Sequence, residues 1–369
     1  MIHKSTRNAG KKFAGGIALS LLSLVLALAV AEGILRAIHG VSSPAPDLPA
    51  QWARIPEESW ILYDPELGWF HRRNRSVFLE LGARRTSVTL NADGARSLHD
   101  YSLEKPAGKR RVLIVGDSFA FGFNVSDRDT VAARLEAENP NIEAINFGVA
   151  GYGADQISLA AKKFTDRYRP DRVIIFLYPD DFSRSLRAYT DAGQAKPYYV
   201  AAPSGALLLE NVPVPPREAV KGPQFPDVMQ LGPIEKNIRF LYLIQLCEKV
   251  LMRMKKMFGL EDPDTTIAWR LNRLIIKDLS DFMKRRSVDA WFVLVPPVRW
   301  LRGSDEPVRE SFNRFAQREQ IKSMDLYPVF KRYAENYKLT DLYIEGDWHW
   351  SELAQSLIAK ELIQWGALQ

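Results

Sequence analysis

Two stretches of this 369-residue chain hold side chains that could do chemistry together. The first, "RRVLIVGDSFAFGFNV" (110–125), sets Gly116, Asp117 and Ser118 where an apolar, β-branched run gives way to a glycine-studded segment. The second, "EGDWHWS" (345–351), sets Asp347 and His349 two residues apart. A serine hydroxyl becomes a nucleophile when a base takes its proton and a third group orients that base; histidine and a carboxylate are the usual pair. Each stretch alone also has a plainer reading. Asp and Ser both cap helices by accepting from free backbone N–H groups, so "GDS" fits a helix start as well as a nucleophile. An Asp-x-His in a loop fits a structural turn equally.

The remaining reactive residues narrow the choice. His3 precedes a long apolar segment, His39 follows it, and His71 and His99 come before the region where strands and helices alternate. His349 is the histidine inside that region. The single cysteine, Cys247, lies among apolar residues in "FLYLIQLCEKVL", which permits no intrachain disulfide and suits a packed thiol. No H-E-x-x-H, cysteine pair or histidine cluster points to a metal, and no G-x-G-x-x-G accompanies Ser118. The sequence implies no cofactor and no metal site.

The elements that must position these residues are legible as alternation. "VLIV" reads as a buried parallel strand ending at Val115, where Gly116 permits a tight turn. A helix over 130–139, the strand "EAINF", a helix over 155–168 and the strand "RVIIFLY" complete β-α-β-α-β. Right-handed crossovers make such strands parallel and gather function at their carboxyl ends, where Ser118, Gly151 and Asp180 all fall. Eight prolines between Pro197 and Pro233 predict an excursion without regular structure. Amphipathic helices are expected over 234–257 and 265–286, their apolar stripes serving packing. The strand "AWFVLVPP", a helix over 308–320, and a turn with a terminal helix in "LYIEGDWHWSELAQSLIAKELIQWG" follow. No repeat or low-complexity run occurs.

Charge and hydropathy place the chain in the cell. The net charge is +6, but Lys4, Arg7, Lys11 and Lys12 precede residue 13 without an acid among them, and setting them aside leaves +2. No Lys/Arg stripe with interleaved aromatics remains for nucleic acid. The nineteen uncharged residues "FAGGIALSLLSLVLALAVA" (13–31) can cross a hydrocarbon core of about 30 Å. They continue with helical spacing into "EGILRAI", which predicts an uncleaved signal-anchor helix over 13–38. The basic residues 1–12 then stay cytoplasmic and everything beyond lies on the extracytoplasmic, periplasmic side of the inner membrane. Residues 39–106 read as a Pro/Ser/Ala linker and a small β-rich module, in which "SVFLELG" and "TSVTLNADGAR" alternate with period two. Residues 107–369 form the main domain.

In chain order, "GDSFAFG", "NFGVAGYGADQ", "FLYPDDF" and "GDWHWS" resemble the four blocks of the SGNH hydrolases, also called the GDSL family, over about residues 110–369. "DPELGWF" and "LNADGAR" resemble the N-terminal extension of membrane-anchored bacterial members. The resemblance implies a flavodoxin-like three-layer α/β/α sandwich with a parallel sheet, and acyl transfer by serine. It implies Ser118 as nucleophile, His349 as base and Asp347 as the orienting acid, with an oxyanion hole made by the backbone N–H groups of Ser118 and Gly151. Members usually carry an asparagine donor in the third block; Asp180 stands at that position here. The single residue between acid and base, Trp348, is similar to the spacing of polysaccharide acetyl-transfer relatives. Trp348 and Trp350 flank the base and are expected either as an aromatic wall for sugar rings or as packing beneath the terminal helix. Phe119 and Phe121 are expected in the core. Together these readings predict a serine esterase or O-acyltransferase acting on ester, chiefly acetyl, groups of an envelope or secreted polysaccharide. The alternative is an envelope assembly or binding protein that keeps the fold with impaired catalysis, which Asp180 favours.

Overall fold

The computed structural model describes residues 59–190, 192–216, 224–229, 264, 266–303 and 307–366, with six helical positions between 23 and 34. The chain divides into two compact units, Met1–Pro46 with Leu231–Glu261, and Asp47–Gln230 with Asp262–Gln369. The second holds the elements below. Apart from those helical positions, the expected anchor over 13–38 lies outside the described residues, as do Cys247 and the helix expected over 234–257. Among the described residues no helix is long and apolar enough to cross a membrane.

Two antiparallel hairpins open the unit, β1 (Ile61–Asp64) with β2 (Gly68–His71), and β3 (Arg75–Leu81) with β4 (Arg84–Leu90). The period-two pattern of "TSVTL" has a physical outcome: Thr86, Val88 and Leu90 face inward, and Val88 and Leu90 pack against Phe121. Arg96, from "NADGAR", then fastens the module to the chain that follows Ser118. Its buried guanidinium donates to the carbonyls of Phe121 (2.9 Å) and Ser87 (3.1 Å) and pairs with Asp127.

The main sheet contains β5 (Arg110–Val115), β6 (Ile142–Asn146), β7 (Arg172–Leu177), β10 (Asp289–Leu294) and β11 (Ser323–Asp325) in the order β11-β10-β7-β5-β6, all parallel. By their own chain order these strands run 2-1-3-4-5, the flavodoxin-like winding, in which ligands sit outside the carboxyl ends near the strand where winding reverses. Here that strand is β5, which leads into Ser118. Helices α1 (Ser118–Phe121), α2 (Val131–Glu138), α3 (Ala154–Tyr168) and α4 (Pro179–Arg184) follow the first strands. Side chains of β5 alternate between two cores: Leu113 and Val115 join the residues of α3, while Val112 and Ile114 join those of α2. All six residues of β7 are buried, as both faces of a covered parallel sheet require. The sheet and its two cores are therefore a three-layer α/β/α sandwich.

The proline-rich excursion differs from expectation. It contains a hairpin, β8 (Tyr198–Ala201) with β9 (Leu207–Glu210), because Pro203 lies in its turn and the other prolines lie outside the ladder. Helix α5 (Ile267–Arg285) covers one face, α6 (Val298–Leu301) follows β10, and α7 (Val308–Arg318), α8 (Tyr327–Tyr333), α9 (Leu339–Leu342) and α10 (Glu352–Gln364) complete the layers.

His71 carries a prediction about acid stability. It is buried between Trp60, Phe70 and Phe121, its Nδ1–H donates to the Gly94 carbonyl (2.9 Å), and its Nε2 has no partner among the described residues. Burial pushes its pKa down from 6.5 to about 4. The unfolded chain thus takes the proton first, so stability present above pH 6.5 is lost as pH falls toward 4, reaching about 2 kcal/mol of loss at pH 5. Denaturant midpoints at pH 7.5 and pH 5 check this: His71→Gln should lose markedly less stability between them than wild type. Equal losses would assign the acid sensitivity to other groups.

Candidate active site

The turn after β5 divides its polar residues between two tasks. Asp117 is the N-cap of α1, accepting from the N–H of Phe119 (2.9 Å), which leaves the Ser118 hydroxyl free of capping. Gly116 is required by space: a Cβ there would lie 2.7 Å from the Ala120 Cβ and 2.9 Å from the Phe176 carbonyl oxygen. With α1 pressed this close to the sheet, Ser118 sits at the carboxyl end of β5 and retains 8% of its surface exposed.

The second stretch reaches Ser118 from 231 residues away. His349 Nε2 lies 2.8 Å from Ser118 Oγ, and His349 Nδ1 lies 2.7 Å from Asp347 Oδ2. An ionised carboxylate only accepts, so Nδ1–H donates to Asp347 and Nε2 is left to accept the serine proton. One intervening residue suffices because of the turn's geometry. Tyr343 and Trp350 pair antiparallel, the N–H of Ile344 bonds the carbonyl of His349 (2.8 Å), and Trp348 adopts φ +64°, an unusual left-handed conformation for a bulky residue. The imidazole is flanked by the rings of Phe119 and Phe123, with centroids 4.9 and 5.2 Å away. Burial alone would raise the Asp347 carboxyl, but hydrogen bonds from His349 and Asn124 hold it below its usual range.

The segment carrying Gly151 lies alongside. The N–H of Val149 bonds the Gly116 carbonyl (3.0 Å), and a Cβ at Gly148 would stand 2.3 Å from the backbone nitrogen of Phe121, so the two segments touch backbone to backbone. Gly151 is left-handed at φ +81° and exposed. Among the described residues, neither the N–H of Ser118 nor that of Gly151 donates a hydrogen bond. The first hairpin braces this loop: Trp69 donates from Nε1 to the Ala150 carbonyl (3.1 Å), and Tyr152 donates from its hydroxyl to the Trp69 carbonyl (2.6 Å).

Asp180 and Trp350 each have defined neighbours in the structure. The Asp180 carboxylate faces Arg299, at 3.3 Å from Nη2, with its side chain 48% exposed. An ion-paired carboxylate accepts hydrogen bonds and supplies no donor. Trp350, expected either in an aromatic wall or as packing beneath the terminal helix, takes the packing role: it is fully buried, edge-on to Phe119 and Phe176 and stacked on Phe330, in one core with Ala354 and Ile358 of the terminal helix, and offers no face to a substrate. Its neighbour Trp348 is half-buried, with the Arg302 guanidinium 4.1 Å above its ring. Phe119 and Phe121 are in the core as expected.

Two residues at the site carried no signal in the sequence reading. Arg184 sends one Nη1 to Asp117 Oδ2 (3.0 Å), Asp181 Oδ1 (2.6 Å) on its own helix and the Tyr152 carbonyl (3.2 Å), joining α4 to the turn before Ser118 and to the loop that carries Gly151. Burial, with the Asp117 charge beside it, pushes the Asp181 carboxyl well above the ordinary carboxylate range, and Arg184 opposes that push. Asn124 is the other. Its left-handed φ of +61° follows the glycine-studded run that marks this segment as a tight turn.

No family model and no curated protein matches the chain. Solved structures resemble it distantly. A member of the lipolytic G-D-S-L family from Veillonella parvula has a TM-score of 0.39 and 12% identity over 70% of this chain and all of its own. A psychrotrophic esterase from Pseudoalteromonas gives 0.39 and 13% over 69% of this chain and 96% of its own. A catalytic mutant of an acetylxylan esterase from Geobacillus stearothermophilus gives 0.39 and 12%, covering 71% and 95%. At this distance the likenesses carry no chemistry, which has to come from the site itself.

Proposed function

We propose that this chain is a serine esterase or O-acyltransferase of the SGNH type, acting on ester, chiefly acetyl, groups of an envelope or secreted polysaccharide. The observation that carries the reading is the unbroken hydrogen-bonded series Asp347–His349–Ser118 at the carboxyl end of β5. In this reading Ser118 Oγ attacks the acyl carbon as its proton passes to His349 Nε2. The N–H groups of Ser118 and Gly151 receive the charge that develops on the carbonyl oxygen. His349 then gives the proton to the departing sugar oxygen, leaving an acyl-enzyme, which water or a second hydroxyl resolves with His349 again as base. Trp348, which lies between acid and base in the chain, is half-buried and leaves part of its ring surface to a substrate beside the base. The uncharged run over 13–31, with its basic flank, supports an anchor that holds the domain on the periplasmic face.

The test is covalent capture. An activated organophosphate such as p-nitrophenyl diethyl phosphate should transfer its phosphoryl group to Ser118 Oγ and release p-nitrophenolate stoichiometrically. Peptide mass mapping should place the adduct on Ser118. A protein that hydrolyses p-nitrophenyl acetate but takes the label on another residue would overturn the nucleophile. A protein that neither hydrolyses nor labels would favour the binding-protein reading.

A further inference from the structure

We propose that Asn124 is a positioning residue that tunes the base through Asp347, and that hairpin β3–β4 holds it in place through Arg84. This inference rests on the reading of Ser118, His349 and Asp347 as a catalytic series. Asn124 is 3% exposed, and its Nδ2 lies 2.8 Å from Asp347 Oδ2, the same oxygen that His349 Nδ1 approaches at 2.7 Å. Only the amide nitrogen can face a carboxylate oxygen without repulsion, so the side chain's orientation is fixed by its partner. The backbone of Asn124 is held independently. Arg84 donates from Nη1 to the Asn124 carbonyl (3.2 Å) and pairs through the same nitrogen with Glu352, the first residue of α10 and three beyond His349. One guanidinium from the module thus ties the segment after Ser118 to the segment after His349.

The chemistry follows from sharing one oxygen. Two N–H donors on Oδ2 keep the carboxylate in one plane, and the amide withdraws part of the charge that the imidazole would otherwise feel. Without the amide, Asp347 would turn more freely, slowing proton transfer, and would hold a protonated imidazole more tightly. The acid limb of the rate profile, which reports protonation of His349, would then move to higher pH.

The left-handed backbone makes the test clean, because glycine occupies φ +61° without steric strain and so removes the side chain while leaving the turn its conformation. In detergent-purified full-length protein assayed on p-nitrophenyl acetate, Asn124→Gly should lower kcat about tenfold, the size of one charge-assisted hydrogen bond, with KM nearly unchanged. Its acid limb should move to higher pH. Asn124→Asp sets a second carboxylate against Asp347 and should be the slower variant at about pH 7. Its activity relative to wild type should recover toward about pH 5, where the introduced carboxyl, once protonated, can donate as the amide did. Loss of kcat with an unmoved acid limb in Asn124→Gly, or a profile for Asn124→Asp parallel to wild type, would reduce Asn124 to packing and overturn the proposal. Thermal midpoints separate misfolding from these effects, and the Asn124→Asp ratio across pH is read within one protein even if Asn124→Gly is unstable. Full hydrolysis by Ser118→Ala would instead defeat the underlying reading, whatever the Asn124 variants do.

Discussion

Ser118→Ala lowers ester hydrolysis by about 10⁴-fold or more and leaves the protein folded. The loss is large because the variant has no atom to form the acyl-enzyme; what remains is whatever the two free N–H groups do for a water attack. The fold survives for a local reason. The Ser118 hydroxyl is bonded to His349 and only distantly, at 3.5 Å, to Asp117, while the start of α1 is capped by Asp117 itself. The group that loses its partner, His349, has a side chain 21% exposed, and Asp117 keeps Arg184, so no fully buried group is stranded and the thermal midpoint should move by no more than a few degrees. Hydrolysis of p-nitrophenyl acetate and a melting curve on the same preparation check both halves. Unchanged turnover would remove Ser118 from the chemistry. A collapsed midpoint would mean that its hydroxyl holds the turn.

How much of this was legible beforehand depends on where each signal lies. The strands "VLIV", "RVIIFLY" and "AWFVLVPP" are covered on both faces, so burial writes itself into the sequence as continuous apolar runs. Strand β11, "SMD", has three residues at a sheet edge, too few for any period to emerge. Ser118, His349 and Asp347 were legible because few residue types can do their work. Asn124 was not, since its signal is a left-handed turn and a contact 223 residues away. Arg184 sits in "PDDFSR" like any cation on a short helix; Asp181 is its i,i+3 neighbour on that helix, but Asp117 and Tyr152 come from two other loops. Trp348 and Trp350 look alike in sequence. Alternation along an extended segment sends residues two apart to one face only in a regular strand, and the left-handed backbone at Trp348 breaks that regularity, freeing one ring to be half open and the other to enter the core.

Asp180→Asn tests whether position 180, which the resemblance sets at the oxyanion, reaches it. A bare carboxylate within about 4 Å of the developing oxyanion would oppose it by about 4 kcal/mol at an effective dielectric near 20. The structure supplies a counter-charge: Arg299 Nη2 stands 3.3 Å from Asp180 Oδ1, and both side chains are more than a third exposed. Pairing and solvent together blunt the repulsion, and a pair this exposed adds at most about 1 kcal/mol of stability, so the substitution should cost the fold little. What wild type still lacks is a donor, since a paired carboxylate has no proton to offer. Removing one oxyanion donor elsewhere costs about 100- to 1000-fold, and an amide at position 180 should recover part of that, raising kcat on p-nitrophenyl acetate by about tenfold near pH 7. Arg299→Gln is the complementary change. In wild type it uncovers the Asp180 charge and should slow the reaction, while in the Asp180→Asn background no charge remains to uncover and it should change little, a coupling that a double-mutant cycle reads directly. An Asp180→Asn variant no faster than wild type at any pH, with Arg299→Gln equally harmless in both backgrounds, would place Asp180 outside the oxyanion's reach and leave the hole to the two backbone N–H groups.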